Sequence, residues 1–128
     1  MSHSLKLTVL ADSYAVVRLD PAATVPPWAW TGEFTSVSRT PDELSIVCRD
    51  DAVPIGVQVE RGWRCLRAAG PFDFALVGVL ASLVNPLAAA GVSLFAVSTF
   101  DTDYLMVKND RLADAVAILR RAGHAVQD

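Results

Sequence analysis

The feature that most constrains this chain is a pair of apolar runs separated by a short polar segment. The runs cover residues 92–97 and 104–107, and residues 98–103, with the sequence STFDTD, lie between them. Apolar runs of this length bounded by turn-forming residues are typical of β-strands. Asp and Thr favour turns because their side chains bond nearby backbone groups. We therefore predict a strand–loop–strand unit, and we call residues 98–103 at its end the tip loop.

A helix is predicted immediately before this unit. Residues 74–90 carry apolar side chains at helical spacing, with Asp73 placed to cap the start and Gly91 placed to end it. Pro86 lies inside this helix, where it removes the hydrogen bond to the Ser82 carbonyl. The predicted apolar stripe consists of Val77, Leu80, Ala81, Val84, Leu87 and Ala88.

A second helix is predicted after the unit, over residues 111–122. Asn109 or Asp110 would cap its start, and Gly123 would end it. The second half of the chain then has the order βαββαβ, with strands at residues 63–68, 92–98, 103–108 and 124–126. This order predicts an α+β ferredoxin-like fold, with an antiparallel sheet and both helices on one face.

The first half of the chain is predicted to form short strands around a proline-rich loop. Residues 5–10 alternate apolar and polar side chains, and residues 14–19 form a second short strand, so we predict a hairpin with a turn between them. Prolines limit residues 20–32 to a loop with at most one helical turn. Trp28 and Trp30 in this loop either cover an edge of the core or form an aromatic wall for a ligand or partner. Further strands are predicted at residues 34–38, 44–48 and 55–60, with a turn at Arg61-Gly62.

An internal repeat relates the two halves. A shift of 60 residues aligns residues 34–50 with residues 94–110 without a gap, and both windows are predicted independently as strand–loop–strand. We interpret this as a tandem pseudo-duplication, with residues 1–60 as a degenerate N-terminal unit and residues 61–128 as the complete C-terminal one. The matching pairs are Val37/Val97, Ser38/Ser98, Glu43/Asp103, Val47/Val107 and Asp50/Asp110.

Composition narrows the classes of partner. Hydrophobic residues make up 52% of the chain, slightly more than a small monomer needs, which favours a homodimer. A net charge of −3 without a basic stripe argues against nucleic acid. No apolar run approaches a membrane span, and residues 1–6 lack a signal-peptide core, so we expect a cytoplasmic protein without a membrane partner.

The same residues offer no catalytic or metal-binding pattern. Cys48 and Cys65 lack the spacing and companions of a zinc site, and both lie in apolar runs typical of buried free thiols. Neither His3 nor His124 has a nucleophile beside it that would suggest a triad. Asp50-Asp51 is a carboxylate pair without further oxygen ligands. We therefore expect no enzyme activity, no cofactor and no metal.

Residues 60–128 resemble an ACT domain, specifically the group of aspartate kinase regulatory domains and animal cytosolic arginine sensors. The resemblance rests on residues 63–74, on residues 78–83 and above all on residues 98–104, while the first half matches only as a divergent tandem copy through residues 43–48. It implies that an amino acid binds between two ACT units. Residues 39–43 lack the Ser-Thr-Phe run, so we expect at most one site for each pair of units. Carried onto this chain, the ligand region is Gly70, Asp73 and the first helical turn, with Thr99, Phe100 and Asp103.

Each of these residues also has a purely structural interpretation. Asp103 would pair an ammonium or guanidinium group, or simply form a turn. Thr99 and Thr102 would contact the ligand, although threonines in such loops more often bond backbone. Phe100 would stack on a ligand or, as we favour, plug the end of the sheet. Asp73 is favoured as a helix cap, a role that is compatible with a ligand contact.

Two functions follow from these observations. The first is a regulatory or sensory module that binds a small molecule, with an amino acid as the expected partner. The second is a structural or interaction module without a ligand, acting through dimerisation. The tip loop discriminates between them, because Asp103→Ala should abolish binding in the first case and be almost silent in the second.

Overall fold

A computed structural model describes residues 4–70 and 78–128, which form two compact units. The N-terminal unit is Ala11–Trp63, and the C-terminal unit is Met1–Leu10 together with Arg64–Asp128. This division differs from the predicted domains, residues 1–60 and 61–128, because the start of the chain groups with the C-terminal unit. The cause is strand β1, Lys6–Leu19, which contributes one part to each unit.

The hairpin predicted at the start of the chain is wrong, because β1 runs without interruption through residues 11–13. These three residues are Ala, Asp and Ser, and they include no glycine or proline that would force the chain to reverse. Their polar side chains are instead accommodated on an extended strand. One long strand therefore replaces two short ones.

The N-terminal unit is built on two complete strands and on parts of β1 and of a later strand, residues 58–63. Strand β2, Ser36–Arg39, pairs antiparallel with β3, Leu44–Arg49, and β3 pairs antiparallel with β1 from Tyr14↔Arg49 to Leu19↔Leu44. The proline-rich loop contains one 3-10 turn, Pro27–Trp30, which confirms the limit of one helical turn. The buried core of this unit is Ala15, Val17, Ala29, Leu44, Ile46, Cys48 and Val53.

The two tryptophans of the loop have different environments. Trp28 packs against the core of the N-terminal unit, as the first interpretation predicted. Trp30 is 62% exposed and is one of the large apolar side chains on the surface. The Arg39 guanidinium fixes the loop that carries them by donating to the Pro21 carbonyl and, at 2.7 Å, to the Ala23 carbonyl.

The turn predicted at Arg61-Gly62 is also wrong, because strand β4 extends over Gln58–Ala68. Gly62 has a φ of 82°, which only glycine adopts at little cost. Its N–H donates to Oδ2 of Asp50 at 2.9 Å, and Arg61 donates to Oδ1 of Asp50 at 2.8 Å. The glycine thus turns one peptide toward a carboxylate within a continuous strand.

The C-terminal unit contains the remaining strands and both helices. Strands β5, Leu94–Ser98, and β6, Asp103–Lys108, form the predicted antiparallel pair. The strand order is β5-β6-β4-β1, and β7, Ala125–Gln127, pairs with β1. Helices α1, Val79–Ala89, and α2, Leu112–Arg121, pack on one shared core, which confirms the α+β ferredoxin-like fold.

One feature of this sheet departs from the prediction. Strand β7 pairs with β1 in parallel, with Lys6↔Ala125, Leu7↔Val126 and Thr8↔Gln127 in register. The sheet is therefore not purely antiparallel, because the N-terminal strand is added between β4 and β7. The first residues of the chain belong to the C-terminal unit for this reason.

The helix boundaries also differ from those predicted. Helix α1 begins at Val79, because the preceding Gly78 has a φ of 86° in the left-handed region. Its buried residues are Val79, Leu83 and Leu87, whereas Ala81 of the predicted stripe is exposed. Residues 74–77 of the predicted helix lie outside the described residues.

Helix α2 follows a 3-10 turn, Asn109–Arg111, and its start has no side-chain cap, so the predicted capping by Asn109 or Asp110 is wrong. At its end, Gly123 has a φ of 99°, as the prediction of a terminating glycine requires. Neither helix that the structure describes has the length and apolar character needed to cross a membrane.

Candidate functional site

The tip loop is a tight turn closed by its own threonines. The last residue pair of the flanking strands is Ser98↔Asp103. The Thr99 N–H donates to the Thr102 carbonyl at 2.8 Å, and the Thr99 hydroxyl donates to the same oxygen at 3.1 Å. The Thr102 N–H also lies 3.3 Å from the Thr99 hydroxyl oxygen. The prediction that Thr99 bonds backbone is confirmed, and the loop conformation is fixed locally.

A second hydroxyl fixes the tip loop to the end of β4. The Thr102 hydroxyl donates to the Ala68 carbonyl at 2.7 Å. Gly70 follows closely in the chain, and a Cβ atom added there would lie 2.7 Å from the Asp101 carbonyl oxygen and 2.9 Å from the Thr102 Cβ. Real Cβ atoms essentially never approach so closely. The structure therefore brings Gly70 against the tip loop, and only glycine fits there without a shift.

The carboxylate of Asp103 is held at the first residue of β6. Its Oδ1 accepts a hydrogen bond from the Ser98 hydroxyl at 2.5 Å, across the last pair of the β5–β6 ladder. Both oxygens of an ionised carboxylate are acceptors, with about four lone-pair sites in total. The bond from Ser98 orients the carboxylate and occupies one of these sites. Asp103 is half-buried.

Phe100 lies at the outer end of the tip loop and is 80% exposed. The prediction that it plugs the end of the sheet is therefore wrong, because a plug would be buried among neighbouring side chains. The turn closed by Thr99 and Thr102 directs the intervening residues away from the core. The tip loop thus carries a large exposed aromatic side chain and, at its end, an oriented carboxylate.

Asp73 lies outside the described residues, so its two predicted roles stay predictions. The described helix begins at Val79, and the first N–H to bond within the helix is that of Ser82, which donates to the Gly78 carbonyl at 3.0 Å. The first N–H groups of any helix lack partners within it and carry partial positive charge. The start of α1 thus has the polarity that attracts an anion.

Two contributors to this site escape the sequence interpretation. Ser98 has no predicted role within the polar segment, yet it orients the Asp103 carboxylate. The Ala68 carbonyl accepts the hydrogen bond from Thr102 that joins the tip loop to β4. The strand register predicts the first of these contacts, since residues facing each other at the end of a hairpin lie side by side. The second contact depends on the sheet order, which the sequence does not reveal.

The N-terminal unit contains a separate cavity of about 370 Å³ that involves Asp12, Arg49, Asp50 and Asp51. Arg49 donates to both oxygens of Asp51 at 2.7 Å, and these bonds lower the pKa of the Asp51 carboxyl. Asp50 bonds Arg61, as described above. Both carboxylates are therefore paired with arginines of the same unit. Among the described residues, no cluster of His, Cys, Asp or Glu side chains could hold a metal ion.

The thiol of Cys48 is buried in the core of the N-terminal unit. Burial and the nearby Asp50 carboxylate raise its pKa to about 11. A thiol with so high a pKa is protonated at neutral pH, and the thiolate is the nucleophilic form. Cys48 is therefore a packing residue of this core and not a nucleophile.

The geometry defines a small ferredoxin-like unit with a polar tip loop. The family model for the ACT domain matches residues 58–121, and a second model, for an N-terminal domain, matches residues 12–55. The chain belongs to the ACT domain family. The two matches follow the division into a C-terminal and an N-terminal unit, apart from the strands that contribute to both.

Curated relatives include cytosolic arginine sensors of animals. The chain is 37% identical over 60 residues to the human protein named cytosolic arginine sensor for mTORC1 subunit 1, and 38% identical over 60 residues to that of Rattus norvegicus. These matches cover 46% of this chain and 18% of each sensor. The chain thus spans less than a fifth of the length of the curated relatives it matches.

Solved structures extend the likeness to the whole chain. A protein of Agrobacterium tumefaciens is 42% identical, with a TM-score of 0.92 over 98% of this chain and 93% of that one. The regulatory subunit of aspartate kinase from Thermus thermophilus is 9% identical, with a TM-score of 0.64 over 95% of this chain and 99% of that subunit. The second comparison shows a shared fold.

Proposed function

We propose that this protein is a regulatory or sensory module that binds an amino acid at the tip loop of its C-terminal unit and has no catalytic activity. The observation that carries the proposal is the Asp103 carboxylate, which Ser98 orients at the end of a loop that Thr99 and Thr102 hold in place. Membership in the ACT family and the similarity to a protein named an arginine sensor support an amino acid as the ligand class. We propose a cytoplasmic location on the same grounds.

The proposed site matches the charges of a free amino acid. Asp103 supplies a negative group for an ammonium or a guanidinium, and a charge-assisted hydrogen bond of this kind is roughly twice as strong as a neutral one. The start of α1 supplies N–H groups for the ligand carboxylate. Gly70 permits the close approach of the tip loop to the segment that follows β4.

We also propose that the N-terminal unit is a degenerate copy of the C-terminal one. The N-terminal unit repeats the element order of the C-terminal one, with 3-10 turns at Pro27–Trp30 and Asp50–Ala52 where the other unit has helices. This order supports the proposed tandem duplication with a degenerate first unit. Residues 39–43, the counterpart of the tip loop, lack the Ser-Thr-Phe run, so we propose at most one site for each pair of units.

A thermal-shift screen with single amino acids tests the proposal. A ligand that binds only the folded state at 100-fold excess over its Kd stabilises it by about 2.7 kcal/mol, so the midpoint must rise. We expect one or a few amino acids to raise it, with cationic side chains first among them. Asp103→Asn should remove the rise, while Asp101→Asn, an exposed carboxylate in the same loop, should keep it. A flat screen with folded protein would contradict the proposal.

One observation favours a second candidate, an interaction module that acts through dimerisation. Strand β5 pairs with β6 on one side, and in the described sheet order it is terminal. Exposed Phe100 lies beside the end of this strand. Terminal strands are ready templates for pairing with another chain. Sedimentation at rising concentration tests this candidate, and a protein that stays monomeric throughout would exclude it.

A further inference from the structure

His124 is a buried imidazole whose two nitrogens both have partners in the C-terminal unit. The residue is 5% exposed. Its Nδ1 accepts a hydrogen bond from the Leu5 N–H at 3.1 Å, and its Nε2 lies 2.9 Å from the Ser82 carbonyl oxygen. A backbone N–H can only donate and a carbonyl oxygen can only accept. The geometry therefore requires the neutral ring with its proton on Nε2.

The Ser82 carbonyl is available to this ring because of Pro86. In a regular helix the N–H four residues later would donate to it, and a proline has no N–H. Pro86 lies inside α1 at that position. The Nε2–H of His124 therefore takes the place of the missing backbone donor. A helix irregularity predicted from the sequence is thus compensated by a side chain 42 residues further along the chain.

The other ring nitrogen holds the first residues of the chain. The Leu5 N–H donates to His124, and the Leu5 carbonyl accepts from the Ala125 N–H at 2.9 Å. The parallel pairing of β1 with β7 begins directly afterwards, at Lys6↔Ala125. One imidazole consequently joins the start of β1, the helix α1 and the start of β7.

We propose that His124 is a proton-sensitive latch, which holds the start of β1 in the C-terminal unit when neutral and releases it when protonated. A proton from solvent would occupy the lone pair on Nδ1. The new Nδ1–H would then face the Leu5 N–H, and the hydrogen bond between them would be lost. The bond from Nε2–H to Ser82 needs no change. Protonation therefore acts selectively on the chain terminus.

The charged groups on the surrounding elements bond other partners or lie at the surface. Helix α1 has no ionisable residue between Val79 and Ala89. The last turn of α2 carries Arg120, which donates to the Val126 carbonyl at 2.7 Å, and the exposed Arg121. Lys6 on β1 is exposed, and both nitrogens of the ring bond backbone groups. Of the acids on or next to these elements, Asp114 is paired with Arg111 at 3.0 Å, Asp128 is exposed, and Asp12 of β1 belongs to the N-terminal unit.

The sign of the effect follows from proton binding. Histidine is the side chain that ordinarily changes charge between about pH 5 and pH 8. Protonation at Nδ1 costs the latched state the hydrogen bond from the Leu5 N–H. The latch is closed at the alkaline end of this range and opens toward the acidic end.

Nuclear magnetic resonance on the full chain tests the proposal. Ring nitrogen shifts should show the Nε2–H tautomer of His124 at about pH 8. Protection factors of the Leu5 and Ala125 amides, corrected for intrinsic exchange and referred to Met106 in β6, should fall about tenfold or more by about pH 5.5. An Nδ1–H tautomer, or protection that is unchanged once the ring is protonated, would overturn the proposal.

Two variants separate the latch from general acid effects. His124→Gln retains a side-chain N–H donor but takes up no proton, so the remaining protection of these amides should not depend on pH. His3→Ala removes the only other histidine of the chain and should leave the wild-type pH dependence unchanged. A His124→Gln protein that still loses protection in acid would refute the latch. If this variant does not fold, the His124 tautomer and the pH dependence of amide protection in the wild-type protein decide whether the latch exists.

Discussion

Replacing Gly70 with alanine is the sharpest test of how the tip loop is positioned. The added Cβ would lie 2.7 Å from the Asp101 carbonyl oxygen, 2.9 Å from the Thr102 Cβ and 3.3 Å from the Thr102 hydroxyl oxygen. Two of these neighbours cannot move without moving the loop backbone. The substitution must therefore displace the loop from the end of β4 and strain the bond from Thr102 to Ala68.

The expected loss of stability follows from two opposing effects. Inserting a methyl group into a well-packed site costs typically about 1–3 kcal/mol. Replacing glycine by alanine also reduces the entropy of the unfolded chain, which stabilises the folded protein by about 0.4–1 kcal/mol. We expect a net loss of about 1–2 kcal/mol, which for a chain of this size lowers Tm by roughly 3–8 °C.

Gly91→Ala is the matched control for this experiment. Gly91 has a φ of 75°, and no atom lies within 4 Å of the position that an added Cβ would occupy, so the substitution adds backbone strain without a clash. Both variants should lose stability in a urea titration, but only Gly70→Ala should shift the amide resonances of residues 99–102 and the binding of any amino acid. A Gly70→Ala protein with the wild-type midpoint and unshifted tip-loop resonances would refute the close approach.

Three further predictions concern the rest of the molecule. Asp50→Ala removes a carboxylate that accepts from the Arg61 guanidinium and the Gly62 N–H, so it should lower the free energy of unfolding in urea by about 1–3 kcal/mol. Asp51→Ala loses only an exposed ion pair and should leave the urea midpoint nearly unchanged. Stability should fall as pH rises from about 9 to 11, because the folded state keeps the Cys48 proton up to a pKa of about 11 while the unfolded chain releases it earlier; Cys48→Ala should flatten this alkaline slope. Leu83→Ala leaves a cavity in the core beneath α1 and should lower the free energy of unfolding by about 2–5 kcal/mol. A loss below about 1 kcal/mol would contradict the burial of Leu83.

Much of the C-terminal unit can be predicted because local signals agree with the fold. The apolar runs around the tip loop form the expected strands, and Gly123 ends α2 where predicted. The missing hydrogen bond at Pro86 is also predictable, although its replacement by His124 is not. That replacement joins residues far apart in sequence, and hydrophobic periodicity carries no information about such contacts.

The errors arise where tertiary contacts override local turn signals. Residues 11–13 and Arg61-Gly62 both suggest turns, yet β1 and β4 pass through them as long strands. At Gly62 the reason is visible, because the Asp50 carboxylate receives the N–H that an ordinary strand residue would direct elsewhere. The exposure of Phe100 also differs from the prediction, since an aromatic residue in a loop is expected to seek the core.

An amino-acid site at the tip loop is tested most directly by a titration of the isotope-labelled protein with single amino acids. We expect saturable shifts in the amides of Gly70 and residues 99–103 for at least one amino acid. Asp103→Asn should abolish these shifts, and Asp101→Asn should preserve them. Folded protein that shows no saturable shift with any amino acid at millimolar concentration, or shifts confined to other residues, would contradict the claim.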